Sequence, residues 1–339
     1  MNKVNRYLFC FLMFLINFSC SSTINMQVLV KKPANFVIPK DIKKITLINK
    51  SKGNAWSVID GILTGEMPHQ DKHQSESCIN GMQQILFNNS TINFSRHPMR
   101  LDAERGSSTG FGNPMSWSMA DSLAEIYSAD ALLVLEYFDT DFSVRDITDY
   151  SKNSEIYIRG TAKARAGFRF YDIKARAVIY EKNYSFFQTY SQHAVTKAEA
   201  IARLIRGSDA LEDVSYSTGR KFAQQLVIHN TWENRWLCKG NDENNKGCRF
   251  AVAGDWKKAI DIWLQAYQNT DSEKEKGKIS YNLGLGYEVE GALNDAKKWI
   301  TVSYAEHNFK KAAAYATIIN KRIESEQLLD EQLKATSKL

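Results

Sequence analysis

Polar and apolar residues alternate most regularly over residues 156–170, IYIRGTAKARAGFRF. Ile156, Ile158, Gly160, Ala162, Ala164, Ala166, Phe168 and Phe170 fall on one face, while Tyr157, Arg159, Thr161, Lys163, Arg165, Gly167 and Arg169 fall on the other. This period of two predicts a strand. The turn-forming stretch 172–175, followed by RAVIYEKNYSFFQTY, predicts its antiparallel partner in a long hairpin. Small residues at Ala162, Ala164 and Ala166 leave room for a helix to lie close on the inner face. Upstream, the run 131–138 has no polar face, which predicts a strand covered on both sides. Before it, Ser116 or Ser118 can cap a helix reaching about residue 127, and Asp130 interrupts the pattern. Residues 42–48, IKKITLI, read as a further strand after Pro39. Residues 194–205 and 210–228 read as helices, the second with Leu211, Val214, Phe222 and Leu226 on one stripe.

From about residue 249 the pattern becomes one of paired helices with an internal repeat. An offset of 37 superposes Gly254 on Gly291, Ala259 on Ala296, Trp263 on Ile300 and Ala266 on Ser303. Leu283, Gly284, Tyr287, Gly291 and Ala296 resemble the tetratricopeptide pattern. That resemblance implies a Leu-Gly and a Tyr on the first helix, with a small Ala on the second that lets the two approach. The family's period is about 34, and the polar stretch 269–278, NTDSEKEKGK, houses the extra residues most easily. Residues 309–333 would add further helix. Two repeats are few for a free-standing solenoid, so the array is expected to lean on the preceding domain.

Composition is that of an ordinary globular protein, 43% apolar and 24% charged, and 339 residues accommodate two domains. The first residues modify that picture. Lys3 and Arg6 precede an apolar run over 7–16, shorter than the about 20 residues a bilayer span needs. A charged start, a short apolar middle and a small residue before a cut site are the anatomy of a secretory signal. Residues 17–20, NFSC, resemble a bacterial lipobox, which implies cleavage before Cys20 and acylation of its sulfur. Two or three acyl chains hold a protein stably on a membrane. An ordinary secreted protein cut near Ser22 is the alternative. Residues 21–27, SSTINMQ, lack an acidic cluster, which favours an outer-membrane protein facing the periplasm. The formal charge of +6 falls to about +4 once Lys3 and Arg6 leave with the signal, too small an excess to argue for nucleic acid.

Together, the lipobox-like Cys20, the strand KKITLINKS, the inner strand DALLVLEYF, the hairpin FRFYDIKARAVIYEKNY and the tetratricopeptide-like end resemble a group of uncharacterised Bacteroidetes-type lipoproteins. The resemblance implies an α+β or α/β fold: a mixed sheet domain with a long antiparallel hairpin, similar in layout to the curli-channel lipoprotein, followed by an all-α helical array. The expected organisation is a signal over 1–19, a lipidated tether over 20–39, the sheet domain over 40–232 and the helical domain over 233–339.

Candidate chemistry is sparse. Cys238 and Cys248 flank KGNDENNKG, a stretch able to turn back on itself. In an oxidising periplasm a disulfide there would contribute roughly 2.5–3 kcal/mol; free thiols are the alternative, and zinc lacks its histidine spacing. Cys78 reads as a small buried hydrophobe. Arg159, Lys163, Arg165 and Arg169 form a basic stripe, either an anion or partner surface or a solvated sheet face neutralised in part by Glu181. His69 and His73 lie four apart with Glu66 nearby, but Pro68 argues for a loop. Residues 106–114, GSSTGFGNP, lack the Lys-Ser or Lys-Thr of a phosphate loop, and no Gly-x-Ser-x-Gly elbow occurs. His97, His193, His229 and His307 have no assignable partners. No catalytic, metal or cofactor residue is therefore expected. Lys278, Asn282 and Tyr287 are placed on a concave peptide groove. The expected role is a non-enzymatic, lipid-anchored adaptor or scaffold for envelope proteins, held at the membrane by its lipid and binding no nucleic acid. A receptor for an anionic glycan or lipid through the basic strand is the alternative, and an enzyme with a site between the domains comes third.

Overall fold

The computed structural model describes residues 22–51, 70–88, 92–101, 110–151, 155–206 and 210–337. The chain divides into two units, one formed by residues 34–228 and the other by the residues before 34 together with those from 229 onward. Strand β1 (Thr23–Lys32) thus belongs with the C-terminal part of the chain. This corrects the tether expected over 20–39: residues 23–32 are a paired strand, and the sheet unit closes at Ile228 rather than at residue 232.

The sheet unit contains β2 (Lys44–Asn49), α1 (Gln70–Leu86), β3 (Asn93–Arg96), α2 (Trp117–Tyr127), β4 (Ala131–Asp146), β5 (Ile156–Asp172), β6 (Ala177–Ala194), α3 (Lys197–Arg206) and α4 (Ala210–Gln224). The strands lie in the order β3-β2-β4-β5-β6. β2 runs parallel to both β3 and β4, which requires the helical crossovers between them, whereas β4, β5 and β6 are antiparallel. Ser116 caps α2 by accepting from the Met119 amide, and Ser128 ends it in the left-handed conformation. Asp130, between this cap and β4, ties down the start of β2, its carboxylate accepting from the Lys43 and Lys44 amides at 2.8 and 2.9 Å.

The unbroken apolar run of β4 is covered on both faces. Leu133 and Leu135 pack with Ile79 and Met82 of α1 and Phe222 of α4, while Leu132 and Val134 pack with Leu123 and Ala124 of α2. Ala162, Ala164 and Ala166 are fully buried beneath α4, as their size predicts, and Phe168 stacks on Phe222 with ring centroids 3.6 Å apart. A register shift between Leu135 and Tyr137 inserts Glu136 as an extra residue. The bulge transfers the inward-facing phase to Phe138.

The helical unit pairs β1 with β7 (His229–Cys238) as an antiparallel ribbon. Five helices follow among the described residues: α5 (Asp242–Val252), α6 (Trp256–Asn269), α7 (Glu273–Val289), α8 (Leu293–Ala305) and α9 (Lys311–Ser337). The 37-residue offset is a repeated helix hairpin. Gly254 and Gly291 occupy equivalent turns, one in each hairpin, with φ of 87° and 80°, a conformation glycine adopts without steric penalty. Ala259 and Ala296 are buried at equivalent places, as are Trp263 and Ile300. A Cβ on Gly247 would lie 2.3 Å from Trp263, and one on Gly284 would lie 2.4 Å from Ile300. Each hairpin thus sets a large side chain against a glycine of its first helix.

Residues 239–247 do not form the expected turn-back loop. Asn241 caps α5 by accepting from the Asn244 amide, and Cys248 lies on that helix. Its Sγ faces the Cys238 carbonyl oxygen at 3.7 Å, and both residues are buried free thiols rather than the predicted disulfide. Burial pushes Cys238 up to about 11 and Cys248 up to about 12. At pH 8 the folded protein should therefore leave Cys78, Cys238 and Cys248 unalkylated by iodoacetamide, and denaturant should expose all three. Peptide mass spectrometry reads this directly, and a 238–248 cross-linked peptide in the denatured sample would show the thiol assignment to be wrong.

Candidate functional site

In β7 the odd-numbered positions Glu233, Arg235 and Leu237 turn inward, and this places a guanidinium inside the helical unit. Arg235 donates from Nε to Glu288 Oε2 at 2.9 Å and from Nη2 to Glu288 Oε1 at 2.7 Å. Glu288, on α7, is wholly buried. From α9 it also receives the Tyr315 hydroxyl and, at 3.2 Å, Arg322 Nη1. Arg235 makes a further contact of 2.8 Å with Glu233, which in turn holds Lys32 of β1 at 2.5 Å. Burial alone would lower the pKa of Arg235, but the Glu288 and Glu233 carboxylates overcome it and the pKa is raised. The network joins both ribbon strands to α7 and α9 with every charge paired.

Arg235 and Tyr315 also form part of the wall of a cavity of ≈ 350 Å³, closed by Thr23, Trp236, Cys238, Tyr281, Lys311 and Ile318 among others. Its lining is chiefly aromatic and aliphatic, with the Tyr281 and Tyr315 rings 5.0 Å apart. Burial raises the pKa of both tyrosines, so they present neutral hydroxyls. Lys311 is exposed on the first turn of α9. Its ammonium opposes the burial-driven rise of the Cys238 thiol, which places it within electrostatic reach of the cavity. Among the described residues it forms no ion pair. The site therefore combines an apolar pocket with one available cation, a pairing suited to an apolar group carried next to a carboxylate.

The basic stripe is neutralised in part by Glu181, as one of its two readings expects, but Arg169 is buried rather than solvated. Arg169 is 5% exposed, lies over the Phe111 ring at 4.6 Å, and donates to Glu181 at 2.6 Å and to the Gly112 carbonyl at 2.9 Å. Burial opposes its charge, but the carboxylates of Glu181 and Glu136 raise its pKa. Glu136, the bulged residue, also takes Lys50 Nζ at 2.8 Å and the Tyr171 hydroxyl. Arg165 donates from Nε to Asp139 at 2.9 Å, and Lys163 is paired in register with Asp141. Alternating carboxylates on β4 thus face the cations of β5, leaving Arg159 beside Arg145 at the far end.

Nor do Lys278, Asn282 and Tyr287 share a groove. Asn282 is fully buried, accepting from the Cys238 amide and donating to the Cys238 carbonyl and to Asn244. Lys278 pairs with Glu275 at 2.7 Å, and Tyr287 packs partly buried against the helical core. Cys20, Glu66, Pro68, His69 and Gly106 lie outside the described residues, and His73 is exposed near the start of α1. His97 contacts the Tyr127 hydroxyl at 2.8 Å, while His307 bridges Tyr267 and Glu273. Among the described residues no three His, Cys, Asp or Glu side chains converge as a metal site.

Two family models match successive parts of the chain. A family model described as Domain of unknown function (DUF8603) matches residues 42–237, more than half of the chain. The chain belongs to that family. The DUF8603 match runs from β2 through β7 and so includes the Arg235 strand of the cavity. Residues 245–325 match a second model, Domain of unknown function (DUF6340), which takes in the two helix hairpins and much of α9. No curated protein matches the chain. Among solved structures, a minor lipoprotein from Acinetobacter baumannii is 10% identical, covering 56% of this chain and 98% of its own at a TM-score of 0.25. A PelC dodecamer from Paraburkholderia phytofirmans is 12% identical, covering 60% and 98% at a TM-score of 0.22. Likenesses this low carry no argument about fold or function.

Sequence reasoning did not find Arg235, Glu288, Tyr315 or Lys311. One signal was present: Asn230, Trp232, Asn234 and Trp236 alternate with Thr231, Glu233, Arg235 and Leu237, a strand pattern in β7.

Proposed function

We propose that this is a non-enzymatic, lipid-anchored protein of the cell envelope, held through Cys20 at the outer membrane and facing the periplasm. Its tetratricopeptide-like helical unit binds an envelope protein. The observation that carries this reading is the cavity of ≈ 350 Å³ with Lys311 at its edge. The partner it fits presents an apolar side chain beside a carboxylate, such as an acidic turn or a chain terminus. The titratable groups around the cavity support binding rather than catalysis. Arg235 and Glu288 are engaged with each other, and burial holds the Cys238 thiol up at about 11. The basic strand offers weaker support for an anion receptor, because Asp139 and Glu181 already occupy Arg165 and Arg169.

Crosslinking and affinity purification from solubilised membranes tests the reading. Lys311→Glu replaces an exposed cation with a repelling charge. Loss of a charge-assisted contact is worth about 1.5–3 kcal/mol, so partner recovery should fall by about 10- to 100-fold. Lys163→Glu, on the sheet unit, should change nothing. Equal recovery by both variants would remove the cavity as the partner site. Deleting the chain beyond Cys248 is a poorer test, since it would strip α7 and α9 from the ribbon that they cover.

A further inference from the structure

One face of the ribbon carries exposed aromatic and aliphatic side chains. On the side opposite Arg235, Trp232 is 61% exposed, Trp236 48% and Leu29 49%. In register, Trp232 lies opposite Leu29 and Trp236 opposite Asn25, so the three large side chains share a single face. The two indoles stand about 13 Å apart along the strand. The same face carries Lys31 and no carboxylate, since Glu233 points inward to Lys32. Trp236 has a second role, one side of it closing the cavity.

The start of this ribbon is fixed. Lys239 donates to the Ser22 carbonyl at 2.9 Å, so the chain is held in place two residues after Cys20. Two residues span at most about 7 Å. A lipid on Cys20 would therefore bring the ribbon's first residues to the membrane surface. Tryptophan suits that depth, because its ring is apolar while its N–H finds acceptors among the headgroups. A cation on the same face adds attraction to anionic lipid.

We infer that the Leu29, Trp232 and Trp236 face of the β1–β7 ribbon rests on the lipid bilayer beside the anchor and fixes how the helical unit is presented. The inference depends on the lipidation proposed above, and the two can be separated by experiment. The full lipidated protein is reconstituted into phosphatidylcholine–phosphatidylglycerol vesicles in which part of the phospholipid carries bromine on its acyl chains, a short-range quencher of tryptophan. Wild type is compared with Trp232→Phe/Trp236→Phe, which keeps the ribbon's aromatic bulk. A Leu29→Asp protein retains both fluorophores and makes the face repel the membrane. Mass spectrometry of the N-terminal peptide reads the acylation of Cys20 in each sample.

The expected result is acylated Cys20 together with bromolipid quenching that falls at least threefold in both variants. Equal quenching in all three acylated proteins would overturn the ribbon contact while leaving the anchor intact, and would give this face to a protein partner instead. An N-terminal peptide without acyl chains would overturn the anchor, and the ribbon's place on the bilayer with it.

Discussion

Glu288→Ala should destabilise the helical unit by about 3–5 kcal/mol, the usual penalty for leaving one member of a buried ion pair uncompensated. The variant would strand Arg235, whose side chain is 4% exposed, along with the Tyr315 hydroxyl and Arg322. Charge is the larger part of this effect, because Arg235 would lose its bidentate carboxylate and keep only the partly exposed Glu233 as counter-ion. Glu288→Gln keeps the shape and one acceptor oxygen, so it should lose less. Urea unfolding followed by tryptophan fluorescence measures the difference, as Trp263 is fully buried in the same unit. With a slope of about 1–3 kcal/mol/M, the midpoint of that transition should fall by at least about 1 M. Because the chain has two units, the transition should be fitted as one of two rather than as a single two-state step. A loss below about 1 kcal/mol would mean that water or Glu233 satisfies Arg235 without Glu288. The cavity wall would then owe little to the network behind it.

What could be read from the sequence was mainly what depends on neighbours in the chain. The alternation at 156–170 became β5, the capping serine and Asp130 bounded α2 and β4, and the 37-residue offset became two helix hairpins with equivalent glycine turns. The failures share a different cause. β1 looks like a tether because its partner strand lies about 200 residues further along the chain, and its short alternation follows a signal-like segment that claims the region. Arg169 was read as exposed because a period of two assigns it to the same face as Lys163. The bulge at Glu136 and the Phe111 contact, neither encoded near residue 169, bury it. Asn282 was read as a groove residue because polar side chains belong on helix surfaces. It is buried because the backbone of Cys238, 44 residues earlier, needs a donor and an acceptor there. The cavity was invisible for the same reason, its walls coming from β1, β7, α7 and α9.

Gly219→Ala tests how closely α1 and α4 cross, and here two known effects oppose each other. Alanine favours helix over glycine by about 1 kcal/mol, which would stabilise α4 if the site were open. It is not open: a Cβ at Gly219 would lie 1.8 Å from the Cys78 carbonyl oxygen, and one at Gly81 would lie 2.0 Å from the Tyr216 carbonyl oxygen. The contact is reciprocal, each helix offering a glycine to the other's backbone, and neither obstacle is a side chain that can rotate away. Admitting the methyl group requires the helices to part, which would loosen Cys78 and Met82 on α1 and Val214 and Phe222 on α4 from their shared core. Overpacking of this kind typically costs 1–3 kcal/mol and more where backbone must move, so the clash outweighs the propensity gain. We expect a net loss of about 3 kcal/mol, seen in calorimetry as a fall of roughly 6–12 °C in the Tm of a unit of this size. Gly81→Ala should cost a similar amount. Cys78 should become alkylatable under native conditions in either variant, since its thiol is protected by the same packing. A rise in Tm would mean that the helices already stand far enough apart for a side chain, and the close crossing of α1 and α4 would have to be abandoned.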